Sequence, residues 1–403
     1  MEQMSEWFSF GEGAHLPQEK MVELAHKSHP LVLGLPVEFE SDERRIALTP
    51  QAVNVFVNQG VVVLKEREAG SKANYSDADY AEAGATICAS KEDVYKCDVL
   101  LKIGAVTEQE LPFIHDKQII FSTISFQKLT KSILSAFARK HVTAVGYEFV
   151  HDGNEYYPIL HSMNEISGTL SVLVAAECLT NNEVGKSVLL GGVTGISPAE
   201  VVIFGANTAG EFAARAALGL GSEVKLFDSC MQRLTSVQQV LSQRLFTSNY
   251  HEKVLRKALL SADVVIGAIC LESSDQYMVV EDMVKSMKRG AIIVDLCMNQ
   301  GGCFETSRPT TFENPTFVKY NVVHYCVPNL ASKAARTASI ALSNILMPMV
   351  QNVLNSGAFY TFLKQNLYAR RGVYMYNGII TNDNVARVYG LNSKSIDLLL
   401  AAF

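Results

Sequence analysis

The stretch VVIFGANTAGEFAARAALGLGSEVKLFD, Val201 to Asp228, decides how this chain folds. It reads as an apolar strand, a glycine turn, a helix, and a second strand ending in an acid. In a G-x-G-x-x-G turn the first glycine permits the tight bend, the second lets backbone approach a pyrophosphate, and the third allows close helix–strand packing. Gly205 and Gly210 fill the first and third places, while Asn207 stands in the second. The helix starting at Thr208 and Ala209 would aim its unpaired N–H groups at phosphates. Asp228 follows Gly210 by 18 residues, a spacing suited to accepting hydrogen bonds from ribose hydroxyls and repelling a 2′-phosphate. NAD is therefore expected, and NADP is not. Asparagine tolerates left-handed backbone better than most residues but adds bulk against the phosphates, so the backbone angle at 207 decides its meaning.

Outward from this turn, strand-like and helix-like runs alternate on both sides. LVLGLPVE, VVVLKERE, DVLLKIG, QIIFSTI and TAVGYEF form one series, with helical spacing in segments such as KLTKSILSAFARKH between them. EVVIFGA, EVKLFD, DVVIGAIC, AIIVDLC and NVVHYCV form a second. Such alternation predicts βαβ units and parallel sheets. The expected fold is α/β, with two doubly wound Rossmann-like domains, a cleft between them, and long helices joining them. Those helices are MNEISGTLSVLVAAECLT (163–180) and ASKAARTASIALSNILMPMVQNVLN (331–355). The expected division is an N-terminal arm at 1–29, a substrate domain at 30–160 plus 336–403, and a dinucleotide domain at 161–335. Pro30 discourages a helix from running out of the polar arm.

The 403 residues exceed one ordinary core, so two domains are expected. With 48% hydrophobic and 19% charged residues and a net charge of -6, the composition points to small-molecule partners rather than nucleic acid or a membrane surface. No basic start and apolar h-region opens the chain, and no apolar run of the roughly 18–20 residues that span a bilayer is evident, so a cytoplasmic protein is expected. Eight cysteines without a CxxC pair predict buried thiols rather than a disulfide or metal framework. No metal-ligand spacing stands out, and no metal is expected.

Five segments carry a resemblance: LGLPVEFESDERRIALTP, LLKIGAV, VLLGGVTGISPAEVVIFGANTAG, VDLCMNQGGCFETSRPTTFENPTF and YCVPNLASKAARTASIAL. Together, in this order over residues 31–390, they resemble alanine dehydrogenase. The related proton-translocating transhydrogenases share the fold but are less similar in the last two segments. The resemblance implies hydride transfer between NAD(H) and an amino acid/2-oxo acid pair, by default L-alanine and pyruvate plus ammonia, in a homo-oligomer, hexamer or dimer. It places a carboxylate-binding arginine on Arg45 and an active-site lysine on Lys102. It adds Asn164 and Asn329 to the cofactor contacts. Its catalytic histidine falls on Ser125, and its catalytic aspartate on Asn299. Both acid–base groups are replaced.

The residue types suit these roles in part. A guanidinium fork can hold a carboxylate in bidentate geometry, and the neighbouring Arg44 is the alternative donor; pairing of Arg45 with Glu43 would be a purely structural use. A lysine at a strand end can polarise a carbonyl or stabilise an alkoxide. Ser125 and Asn299 can hydrogen-bond but cannot cycle a proton near neutral pH. His161, His324 and Glu165 are the candidates to replace them, and Tyr325 shares the block of Asn329. Two rival readings follow from the replacements: an imine-reducing or opine-type dehydrogenase, and an inactive NAD(H)-binding sensor.

Overall fold

Branched and aromatic residues dominate the strands, where their side chains pack on the pleated surface. The computed structural model describes residues 30–126, 128–153, 156–269, 277–356 and 359–401. The predicted arm and Cys270 lie outside these residues. Six strands run parallel in the first sheet: β1 (Val32–Leu35), β2 (Val62–Glu66), β3 (Thr86–Cys88), β4 (Val99–Leu101), β5 (Ile119–Ser122) and β6 (Thr143–Gly146). Their spatial order is β3-β2-β1-β4-β5-β6. The second sheet contains β7 (Glu200–Phe204), β8 (Glu223–Phe227), β9 (Phe246–Ser248), β10 (Val264–Gly267), β11 (Ile292–Asp295), β12 (Thr316–Lys319) and β13 (Val322–Tyr325). Its parallel part repeats the pattern as β9-β8-β7-β10-β11-β13. In each sheet the chain reverses direction of growth at the first strand. This opens a crevice beyond the carboxyl ends of β1 and β4, and another beyond β7 and β10.

The sheets are not wholly parallel. β12 pairs antiparallel with β13 through Tyr320 and Asn321, whose φ values are 55° and 59°. β14 (Val373–Tyr376) and β15 (Ile379–Ile380) extend the first sheet beyond β6, also antiparallel, and Asn377-Gly378 turns between them at φ 46° and 79°. Two successive positive φ angles are the two-residue turn that matches strand twist, and such a turn can only produce antiparallel neighbours.

Both faces of each sheet are covered by apolar cores, as crossover helices on two sides require. Two helices connect the sheets. The junction helix Pro158–Thr180 begins five residues earlier than its apolar spacing suggests, with proline in its first turn, where a missing N–H costs nothing. Gly168 brings it against the helix Thr208–Gly219: a Cβ there would stand 2.2 Å from the carbonyl oxygen of Ala209.

The spine helix Ala335–Asn355 follows a tight helical turn at Leu330–Ala334. Together, Leu330–Leu354 is long and apolar enough, by length and composition, to cross a membrane, contrary to the reading from apolar runs alone. Its buried face is nevertheless built for this fold. Ala338, Leu342, Leu346 and Val350 are in the core. The hydroxyls of Ser332, Ser339 and Ser343 accept the backbone N–H groups of Arg44, Ile46 and Thr49 at 2.8, 3.0 and 3.2 Å. The irregular segment that carries Arg45 thus finds its hydrogen bonds on this helix.

Gly168→Ala is expected to cost about 1–3 kcal/mol, because backbone rather than a flexible side chain must move. Urea unfolding at unchanged m-value should show it as a lowered midpoint; an unmoved midpoint would mean that the two helices are not held at this contact.

Candidate active site

Lys102 leaves β4 at the first crevice and is 1% exposed. Its ammonium donates to Glu110 Oε1 at 2.9 Å and to Glu38 Oε2 at 3.2 Å. Glu38 is fastened in turn by the N–H groups of Ile103 and Gly104 at 2.5 and 3.0 Å. Glu110 closes a capping box with Thr107 and accepts the Tyr95 hydroxyl at 2.5 Å. Burial disfavours the charge on Lys102, but the two carboxylates outweigh it and hold its pKa above the ordinary lysine value. Lys102 is a fixed cation, not a base. Burial raises the pKa of Glu38, whereas for Glu110 the field of Lys102 and three hydrogen bonds prevail and lower it.

Arg45 is also buried, and its fork is already occupied. Nε and Nη2 meet Glu43 Oε1 and Oε2 at 2.8 and 2.6 Å, while Nη1 faces Met163 Sδ at 3.2 Å. The pairing with Glu43 that sequence allowed is therefore real, but in the interior rather than at the surface. A bidentate grip on a second carboxylate is not open to Arg45 as it stands, and Nη1 is the edge it offers. Arg44 stacks on the Phe312 ring at 4.4 Å.

Asn329, in left-handed backbone at φ 58°, donates to Glu43 Oε2 at 2.8 Å. A loop after the second sheet thereby touches the ion pair of the first. Ser125 follows β5, partly exposed, and its carbonyl accepts from Leu129 N at 2.8 Å. Asn299 is exposed on the short turn Met298–Gln300 and, among the described residues, hydrogen-bonds to none of the other site groups. Among the described residues, no hydrogen bond joins the two replaced positions.

At the second crevice the question of Asn207 has a direct answer. Its backbone is extended, at φ -84° and ψ -175°, so no left-handed conformation is required. Its side chain caps the helix, accepting Gly210 N at 3.1 Å, and donates to Ala268 O at 2.6 Å beyond β10. The bulk that seemed to oppose phosphates turns inward. Gly205 has φ 102°, and a Cβ on Gly210 would stand 1.7 Å from Gly205 O, so the two glycines that remain are the two the geometry demands. Thr208 and Ala209 begin the helix with N–H groups that have no partner within it. This turn fits a dinucleotide pyrophosphate. Asn164 is exposed on the junction helix.

Asp228 is less available than its position suggests. Oδ2 accepts Ala206 N at 2.7 Å, and Oδ1 takes Cys230 N at 2.7 Å and Arg233 Nη2 at 2.8 Å. The carboxylate first holds the glycine turn to β8, and a ribose must share it or displace Arg233.

The replacement proton carriers fare unequally. His324 is fully buried between Thr306 Oγ1 at 2.8 Å and Val322 O at 3.1 Å, and burial pushes its pKa down to about 4. It is excluded as a proton carrier near neutrality. His161 bridges Glu165 Oε1 at 3.0 Å and Thr208 Oγ1 at 3.2 Å, at the start of the cofactor-turn helix. Among the described residues, the buried Tyr325 hydroxyl has no hydrogen-bond partner. Although no metal-ligand spacing is evident in sequence, Asp295, Cys297 and Cys303 converge within 4.8 Å. Hydrogen bonding accounts for this: Asp295 accepts the N–H groups of Cys297 and Cys303 at 3.0 and 2.9 Å and so folds the QGGC turn back on β11.

Sequence reasoning missed Glu38, Glu110 and Glu148. The first two sit in strand-end loops whose only signal is an acid after an apolar strand and a T-x-x-E capping box. Glu148 Oε2 accepts Ile124 N at 2.8 Å, beside Ser125.

The profile described as "Alanine dehydrogenase/PNT, N-terminal domain" matches residues 34–167, and that described as "Alanine dehydrogenase/PNT, C-terminal domain" matches 171–383. The chain belongs to the alanine dehydrogenase/PNT family. It is 34% identical over 375 residues to an alanine dehydrogenase of Staphylococcus saprophyticus subsp. saprophyticus, covering 92% of this chain and 100% of that one. Alanine dehydrogenase 2 of Staphylococcus aureus is 34% identical over 370 residues, 91% of this chain and 98% of its own length. A solved L-alanine dehydrogenase superposes with TM-score 0.84 at 31% identity, over 89% of this chain and 99% of that one. A transhydrogenase from Sinorhizobium meliloti, at TM-score 0.74 and 19% identity over 88% and 99%, shares the fold.

Two outcomes are expected at the cofactor turn. Asn207→Ala should destabilise the protein by about 1 kcal/mol through the lost cap, while Asn207→Gly should cost only a few tenths, both read by urea unfolding. Equal losses would contradict the capping role. Arg233→Ala should raise the NADPH-to-NADH ratio of dissociation constants by about an order of magnitude, since the cation paired with Asp228 is gone. Fluorescence titration with both nucleotides measures it.

Proposed function

We propose that this protein is an NAD-dependent amino-acid dehydrogenase that interconverts an amino acid and its 2-oxo acid, with L-alanine and pyruvate plus ammonia the first pair to test. One observation carries the reading. Two buried, ion-paired cations, Lys102 and Arg45, stand on the carboxyl side of the first sheet, and Asn329 ties the Arg45 pair to the sheet that bears the glycine turn.

Gly205, Asn207, Thr208, Ala209 and Gly210 would hold the pyrophosphate, with Asp228 at the ribose and Asn164 and Asn329 toward the nicotinamide. NAD+, when bound, accepts a hydride. The chain's own residues supply the rest. Lys102, kept charged by Glu38 and Glu110, stabilises negative charge on a carbonyl oxygen in a site that excludes water. Arg45 orients the substrate carboxylate through Nη1. We assign residues 30–160 with 336–403 to the substrate domain and 161–335 to the cofactor domain. The expected setting is a soluble, cytoplasmic homo-oligomer, hexamer or dimer.

An NADH-oxidation screen of pyruvate, glyoxylate and longer 2-oxo acids, each with ammonia and with primary amines, tests the reading. Turnover with ammonia is the expected result; turnover with amines alone would replace it by an opine-type reaction. Arg45→Ala should chiefly raise KM, and Lys102→Ala should lower kcat by about 10²-fold or more. Near-normal kinetics in both would remove them from the site.

A further inference from the structure

We propose that Glu148 is the acid–base group of this enzyme, taking over the proton traffic that Ser125 and Asn299 cannot carry, and exchanging protons with solvent through the cavity beside it. The proposal rests on the amino-acid dehydrogenase reading above.

Position comes first. Glu148 lies in the short helical turn Tyr147–Phe149 that follows β6, at the same carboxyl edge as Lys102 and Arg45. Its Oε2 is pinned by the N–H of Ile124, the residue before Ser125, at 2.8 Å. A carboxyl group is therefore held beside the position at which the resemblance expects a histidine. Gly146 makes this approach possible: a Cβ there would stand 2.5 Å from Ile124 Cδ1.

Access comes second. Glu148 lines a cavity of about 330 Å³ together with His151, Tyr157 and Arg371, between the end of β6 and the start of the junction helix. A cavity of that size has room for several waters, at about 30 Å³ each, and is the route by which the proposal passes protons to solvent.

Exhaustion of the alternatives comes third. Glu43 is committed to Arg45, and Glu110 and Glu38 to Lys102. Lys102 is held charged, His324 is held neutral, and burial with the field of Glu38 lifts Tyr147 well above the ordinary tyrosine range. His161 serves the first residue of the cofactor-turn helix. Among the described residues, the Glu148 side chain is held by the Ile124 N–H and by its own backbone N–H, and no cation is bonded to it. The groups around it are Arg45, Tyr147 and Tyr374, with His151 and Arg371 across the cavity. Burial pushes its pKa up to about 7, against the pull of Ile124 N–H and Arg45. A general base works best with a pKa near the working pH.

From the iminium onward, the proton balance closes on this one group. The substrate ammonium first loses a proton to water; after oxidation of the resulting free amine, water adds to the iminium carbon and loses a proton to the Glu148 carboxylate, leaving a neutral carbinolamine. The carboxyl group returns that proton to nitrogen. As the C–N bond breaks and ammonia departs, the hydroxyl proton passes to the carboxylate and the carbonyl forms. One proton remains on Glu148 and leaves through the cavity. Oxidation thus needs the carboxylate and rises with pH through about 7, whereas amination needs the acid and falls over the same range.

Glu148→Gln keeps size and polarity but cannot cycle a proton. It is expected to lower kcat for oxidation by about 10²–10⁴-fold and to abolish the inflection near neutral pH, while NADH affinity by fluorescence stays within about twofold. Glu148→Asp should retain the inflection with a smaller loss. A readout without turnover uses the cofactor-free protein: infrared titration should show a protonated-carboxyl band that disappears near pH 7 in the wild type and is absent in Glu148→Gln. Turnover or an inflection that survives Glu148→Gln overturns the role of Glu148 alone, as does a titrating band that persists in the variant. A wild type inactive on every amine and 2-oxo acid tested overturns the functional reading and this role together.

Discussion

Lys102 stands at the end of an apolar strand with almost no contact with water, and its charge survives there because Glu38 and Glu110 close on it. Removing one partner of such a buried pair costs on the order of 3–5 kcal/mol, since the charge left behind has nowhere to go. The first crevice is organised by that constraint. Glu38 must reach back to Ile103 and Gly104, Glu110 must turn through its capping box, and Tyr95 must spend its hydroxyl on Glu110. Each of these bonds is satisfied before any substrate arrives. The cation is thereby preorganised, and no solvent needs to rearrange when negative charge develops beside it.

The same rule explains the junction between the sheets. Arg45 is buried and needs Glu43; Glu43 has lone pairs to spare and takes Asn329 and Ser332. The segment carrying them has no regular structure, so its N–H groups depend on two serines of the spine helix and one of the turn that leads into it. Serine is a poor choice for a helix interior by propensity. Here its hydroxyls act as a ladder for a neighbouring chain, and the helix is long enough in Ala, Leu and Met to tolerate them.

The fold was legible because its signals are local. Strand runs, helical spacing and the Gly205–Gly210 turn each report their own backbone, and two series of them predict two sheets. The Asn377-Gly378 and Tyr320-Asn321 hairpins were legible only at the first, where Asn-Gly is a turn signal; Tyr320 in left-handed backbone has none. The site was legible by type and not by state. Lys102 follows a strand, as its sequence suggested, whereas Arg45 lies in the irregular segment after β1; that Glu43 fills the arginine fork inside the core, or that Asp228 is spent on Ala206, Cys230 and Arg233, depends on tertiary contacts. Asn207 shows the difference well. Its identity raised a doubt about phosphate approach, and only its extended backbone and inward side chain remove it.

A carboxyl group and an imidazole with the same pKa are not equivalent in this crevice. Protonated histidine would add a positive charge beside Lys102 and Arg45, whereas protonated glutamic acid is neutral and its conjugate base is negative. Glu148 in place of a histidine at position 125 therefore shifts the local charge by one unit toward negative in either protonation state. Such a shift favours a cationic amine or iminium over an anionic intermediate, and it disfavours a substrate that brings more than one carboxylate. Arg45, with one free edge rather than an open fork, points the same way: a single carboxylate is all it can orient. On the role proposed for Glu148, the charge already present, and not pocket size alone, would favour a monocarboxylate whose reacting carbon becomes cationic, which is what an amino acid with an uncharged side chain supplies.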